Sequence, residues 1–197
     1  VKVALRVCES LTENMSTSEI HEISSEACME SYTSHTDYER LAVRILIDNM
    51  NKICEPRFSA YVNQVKRTGR LSDDFVSTVV QFSREFDSMI DASTDADLSF
   101  FGLKTLVNNK YLMLDEFGNT CEKPCYLWMR VAIGIHLHTI NKTDNNNTVL
   151  QDIATTYRLL QNRLYTHATP TLFNAGTCHP QFASCFLMAL NEDSIEG

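Results

Sequence analysis

Apolar residues along the chain recur mostly at spacings of three and four with polar residues between them, and that period predicts helix. Val3, Val7 and Leu11 share a face of a first short helix, and Ile20, Ile23 and Ala27 a face of a second. Ser16-Thr-Ser-Glu19 is a capping box for the second. A longer helix is expected from a cap at Asp37 to about Ile53, with Leu41, Ile45 and Leu46 facing one way and Val43, Ile47 and Met50 beside them. A stripe that wide is covered from two sides. Phe58, Tyr61, Val62 and Val65 form a shorter amphipathic turn closed at Gly69, and Ser72 caps a helix on which Phe75, Val79, Phe82 and Phe86 repeat as core. Tyr126 to His138 is apolar around most of its circumference, which makes it central; Pro124 suits its first position. Thr148-Val-Leu-Gln151 is a capping box for a last long helix, through about Tyr165, that buries Ile153, Tyr157, Leu160 and Leu164.

The connections carry their own signals. Asp87 to Asp97 is acidic but lacks the central glycine and closing glutamate of a calcium loop, so it reads as a solvated connector. Tyr111-Leu-Met-Leu followed by Asp115-Glu-Phe-Gly-Asn predicts a hairpin with Gly118 in the turn. Asn141 to Thr148 is a polar surface insertion.

The helical period fails at Thr169-Pro-Thr-Leu-Phe-Asn-Ala-Gly-Thr-Cys-His-Pro-Gln-Phe-Ala-Ser-Cys185-Phe. Pro170 disfavours helix at Thr169, Asn174-Ala-Gly176 is turn chemistry, and Pro180 stops any new helix. From Phe182 to Leu190 the chain is nearly all apolar, the pattern of a strand buried on both faces. The expectation is a stiff loop that delivers the hydroxyl of Ser184 and the thiol of Cys185 at the start of a buried strand.

Composition narrows the classes. Formal net charge is −8, from 25 acids against 17 bases, which disfavours a general nucleic-acid surface. No apolar run approaches the ~18 residues of a membrane span. The 7 cysteines are odd in number and irregularly spaced, which fits free thiols in a reducing, cytoplasmic setting. Cys121 and Cys125 with His136 and His138 form a candidate zinc set, but one pair four apart without a matching second pair is a poor fit to a zinc knuckle. No metal site is expected. The chain starts at Val1 without methionine and stops at Gly197 within a helix start, which implies a piece of a longer polypeptide.

His167 to Thr177, Pro180 to Phe186 and Asp193-Ser-Ile-Glu-Gly197 together resemble, in order, the substrate-site segments of the large subunit of class I ribonucleotide reductase. Phe101-Gly-Leu-Lys-Thr-Leu106 resembles an element of that family, Arg130-Val-Ala-Ile-Gly-Ile-His136 and the helix from Asp37 to Ile45 resemble it again, and the likeness fades toward Val1. The resemblance implies a mainly α chain in three parts. Residues 1–34 are the closing part of an ATP-cone, 35–166 a helical N-terminal domain, and 167–197 the first strand of a ten-stranded α/β barrel.

It also implies the chemistry. A thiyl radical takes the 3′ hydrogen of a ribonucleoside diphosphate, the 2′-hydroxyl leaves as water, and a cysteine pair becomes a disulfide that thioredoxin or glutaredoxin reduces. Cys185 matches one of that pair, and Thr169 and Ser184 match substrate-binding hydroxyls. Asp193, Ser194 and Ile195 match contacts to a deoxynucleotide effector. Thr17 matches a contact to ATP, whereas His21 stands where relatives carry an aspartate that reads the effector. The remaining active-site groups lie beyond Gly197, so the chain alone is expected to be inactive. It needs no cofactor of its own. The radical cofactor, typically di-iron, belongs to a small partner subunit, and the large subunit pairs with a second copy of itself. The competing reading is a non-enzymatic helical binding module with an incidental buried cysteine.

Overall fold

The computed structural model describes residues 2–140 and 146–189. The chain is mainly helical: ten α-helices and one 3-10 segment, with no strand among the described residues. Two isolated antiparallel bridges join Leu71 to Thr177 and Leu114 to Thr120. No described helix is long and apolar enough to cross a membrane.

Two of the four caps read from the sequence, Ser16 and Ser72, operate. At the start of α2 (Thr17–Met29), Ser16 Oγ accepts from the Glu19 amide at 3.2 Å, and the Glu19 carboxylate accepts from the Ser16 amide at 2.7 Å. Two otherwise free donors are thereby satisfied. α1 (Lys2–Ser10) rests on α2 with Val3 and Val7 half-buried. α3 (Asp37–Ile53) buries Ala42, Val43, Leu46, Ile47 and Met50 against α2 and later elements, whereas Leu41 is 45% exposed. Asp37 is its first residue rather than its cap; Thr36 holds the cap position without a side-chain bond. The Asp37 carboxylate still lies at the positive end of the helix.

α4 (Phe58–Lys66) and α5 (Asp73–Gln81) follow, and Ser72 Oγ accepts from the Phe75 amide at 3.2 Å. Phe75, Val79, Phe82 and Phe86 are all core, but on two helices. Phe82, at φ −111° and ψ 31°, separates α5 from α6 (Ser83–Met89). A 3-10 segment, Ser93–Asp97, leads to α7 (Phe100–Asn108). Of the expected hairpin the turn forms, with the Asp115 amide donating to Asn119 O at 2.8 Å and Gly118 at φ +86°, but its arms meet in the single bridge Leu114–Thr120 and are not strands. α8 (Pro124–Ile140) is the centre of the molecule: every residue from Pro124 to Ile133 is buried. α5, the 3-10 segment, α9 (Asn146–Gln161) and α10 (Thr169–Asn174) surround it.

Elsewhere the fold departs from the pattern. α9 begins before Thr148, so Thr148 stands inside the helix and opens no box. It ends at Gln161; Arg163 at φ +57° turns the chain away, and Leu164 is 72% exposed rather than buried. Residues 141–145 of the expected insertion lie outside the described residues. The acidic connector is not solvated throughout, because the 3-10 segment packs on α3 and α8 and takes Asp95 to 2% exposure. Thr169–Asn174 is a helix, not a loop, since a proline in the first turn lacks only an amide that would have no intrahelical partner. The strand expected from Phe182 onward is absent over residues 182–189: Phe186, Leu187 and Met188 are 75%, 103% and 80% exposed. A strand needs a neighbour for its amides and carbonyls, and among the described residues no strand runs beside these.

Candidate functional site

The site grows from one buried ion pair. Arg130 on α8 and Glu122 just before it both have fully buried side chains. Arg130 Nε donates to Glu122 Oε1 at 2.8 Å and Nη2 donates to Oε2 at 3.1 Å. This fork satisfies a charge that would otherwise be very costly to bury. The donors left over reach backbone. Nη1 donates to Ala175 O at 2.8 Å, and Nη2 to Leu172 O at 3.2 Å and Tyr111 O at 3.3 Å. Glu122 also accepts from the Tyr61 hydroxyl and from the Met113 amide. Burial acts to lower the Arg130 pKa, but the Glu122 charge and its hydrogen bonds carry it up, so the guanidinium stays charged. Burial, and then the Glu122 charge, hold the Tyr61 phenol well above its ordinary value.

This pair ties α10 and the turn after it to the core. Gly176 has φ +80°, and a Cβ there would lie 2.8 Å from the Phe75 ring. Gly134 on α8 lets the turn approach, because a Cβ on it would stand 2.5 Å from Gly176 N. The Ser72 amide donates to Gly176 O and the Cys178 amide to Arg70 O, each at 3.0 Å.

Beside α10 opens a cleft of about 700 Å³ whose lining includes Thr169, Phe173 and Asn174 of α10 together with Arg70, Lys110 and Tyr111. The Thr169 and Tyr111 hydroxyls are 2.8 Å apart, and the Tyr111 and Phe173 rings stack at 4.5 Å and 14°. Arg70 and Lys110 are exposed and have no carboxylate within ion-pair distance among the described residues. In a chain of net charge −8 this local positive rim suits an anionic ligand.

Of the sequence-derived site residues among the described ones, the structure brings Thr169 alone to this cleft. Ser184 and Cys185 are exposed, their Oγ and Sγ 3.9 Å apart, and neither lines the cleft. The bend is held, but the thiol faces solvent. Thr17 is the first residue of α2 and exposed; its carbonyl is hydrogen-bonded to His21 Nδ1. His21 Nε2 lies 3.3 Å from Lys52 Nζ, which pairs with Asp48 at 2.6 Å. Asp193, Ser194 and Ile195 lie outside the described residues.

The Cys121, Cys125, His136 and His138 set is not assembled. Cys121 Sγ donates to Met113 O at 3.4 Å, His136 Nε2 is 2.8 Å from Thr156 Oγ1, and among the described residues no metal-holding group of three occurs. Burial pushes the Cys121 thiol up to about 12 and the Cys125 thiol higher still, so both stay protonated.

Sequence reasoning passed over Arg130, Glu122, Tyr111 and Asp95. An arginine within an otherwise apolar helix was the available signal, since a buried guanidinium requires an acid partner. Asp95 gave none. Its Oδ2 accepts from the Cys125 amide at 3.2 Å at the start of α8, its Oδ1 is buried without a partner, and burial pushes it up to about 6.

Residues 96–180 match a family model described as the all-alpha domain of ribonucleotide reductase. Over its whole length the chain is 36% identical to ribonucleoside-diphosphate reductase large chain 2 of Saccharomyces cerevisiae, covering 22% of that protein. It is likewise 36% identical to the large subunit of Arabidopsis thaliana and 35% identical to that of Danio rerio, covering 24% of each. The chain thus spans about a quarter of the length of the curated relatives it matches.

Proposed function

Because the chain belongs to the large-subunit family of ribonucleoside-diphosphate reductases, we propose that the complete polypeptide reduces ribonucleoside diphosphates to 2′-deoxyribonucleoside diphosphates. Residues 1–34 serve as the closing part of an ATP-cone, 35–166 as the helical domain, and 167–197 as the opening of the α/β barrel. In the reaction the 2′-hydroxyl leaves as water and a hydrogen takes its place on the ribose. Two thiols supply the electrons and protons and end as a disulfide. Cys185 is one of these thiols, and thioredoxin or glutaredoxin reduces the pair for the next cycle. Thr169 and Ser184 donate hydrogen bonds to the substrate's phosphate or ribose oxygens. A radical-supplying small subunit and a second large subunit complete the enzyme, and Asp193, Ser194, Ile195 and Thr17 contact nucleotide effectors.

One observation carries this reading. The segments His167–Thr177, Pro180–Phe186 and Asp193–Gly197 occur in the family's order, in a chain similar end to end to large subunits. The test is a dithiol- or thioredoxin-driven assay of the complete large subunit with its small subunit. Cys185→Ser is expected to abolish multiple turnover; undiminished turnover removes the thiol from the mechanism. With His21 at the effector-reading position, dATP is expected to inhibit weakly or not at all, and strong inhibition would contradict that part.

A further inference from the structure

We infer that Tyr111 is a positioning residue for Thr169, holding the threonine hydroxyl with its proton turned toward the cleft, where it meets a substrate phosphate oxygen. This rests on the reading of Thr169 as substrate-binding.

The geometry leaves the phenol little freedom. The Tyr111 carbonyl accepts from Arg130 Nη2, and its amide donates to Leu106 O at 3.0 Å. Its ring is stacked on Phe173, which belongs to α10 itself. Backbone and ring are therefore tied to the two bodies that meet at the cleft, and the hydroxyl ends 2.8 Å from Thr169 Oγ1. Thr169 is exposed, and a free threonine hydroxyl rotates among its staggered positions. The phenol is the more acidic partner and so the natural donor of the two. When it donates, Thr169 Oγ1 accepts, and the threonine keeps its own proton for a third group. A hydroxyl polarised in this way is a better donor to an anionic oxygen. Lys110 and Arg70 on the same rim draw such an oxygen in. Tyr111 acts through Thr169 and is not itself a catalytic residue.

Tyr111→Phe keeps the ring stack and removes only the hydroxyl. In the complete enzyme, steady-state kinetics with a nucleoside diphosphate are expected to show KM raised roughly three- to tenfold, the loss of one modest hydrogen bond. kcat and melting temperature should stay close to wild type. Thr169→Val should raise KM at least as much, and Tyr111→Phe should add nothing in its background, because a positioning role acts only through the Thr169 hydroxyl. A wild-type KM for Tyr111→Phe beside a raised KM for Thr169→Val overturns the role of Tyr111 alone. The same follows if the two effects add in full, or if Tyr111→Phe lowers kcat and melting temperature together. A wild-type KM for Thr169→Val overturns the reading of Thr169 and the role of Tyr111 with it.

Discussion

Residues 169–177 and 181–189 are neighbouring halves of one motif, and the structure treats them oppositely. In the first half, α10 closes its own backbone bonds, Arg130 takes the carbonyls of Leu172 and Ala175, and Gly176 is seated against Phe75. In the second half the ties end at Phe182: the Gln181 amide donates to His179 O at 2.8 Å, and Gln181 O and Phe182 O accept from Asn174 Nδ2 at 2.8 Å and Thr171 Oγ1 at 3.4 Å. Beyond them Phe186, Leu187 and Met188 lie in solvent. The sequence of the second half is the more apolar, yet it is the first half that is buried. Apolarity creates a demand for burial; a partner surface meets it, and among the described residues of the second half only Phe182 packs on the core.

Breaking the Arg130–Glu122 pair is the strongest test of that contrast. Arg130→Met leaves a buried carboxylate unpaired and should cost about 3–5 kcal/mol. Denaturant unfolding would show it, as would faster hydrogen exchange at the Ala175 and Thr177 amides. Wild-type stability would mean that α10 does not depend on the pair. Gly176→Ala is next, at about 2–4 kcal/mol, because it adds strain at positive φ to overlap with the Phe75 ring. A neutral result would show that the turn can shift.

Asp95 probes the same anchored side through the start of α8. Its folded pKa of about 6 lies above the ordinary ~3.9 of an unfolded chain. The folded state therefore holds the proton more tightly. This contribution to stability is complete below about pH 4 and is lost as pH rises through about 6, on the order of 3 kcal/mol. Measured against Asp95→Asn, which removes the titration, wild type should lose relative stability across that window. A difference flat in pH would mean that the carboxylate is charged and compensated throughout.

The smallest effect belongs to the open half. Leu187→Ala should change the stability of this chain by less than about 0.5 kcal/mol, and Cys185 should react with a thiol reagent at once. Cys121 and Cys125, buried and protonated, should react only on unfolding. A cost above about 1 kcal/mol at Leu187, or a protected Cys185, would mean that the tail is packed.

The sequence by itself determined most of the helices and of their faces, though not α10 or the break between α5 and α6, the caps at Ser16 and Ser72, the turn at Gly118, and the ordered motif on which the family resemblance rests. Each of these is local: a helix bonds within four residues, a cap within three, and a motif is read along the chain. Only the tertiary structure decided that Arg130 binds Glu122 and the carbonyls beyond Leu172, that Asp95 is buried, and that Thr169 meets Tyr111. It also decided that the apolar run after Gln181 is not a strand here. Those outcomes depend on groups distant in sequence. A buried charge is tolerable, and an extended segment becomes a strand, only where another part of the molecule presents the complementary bond.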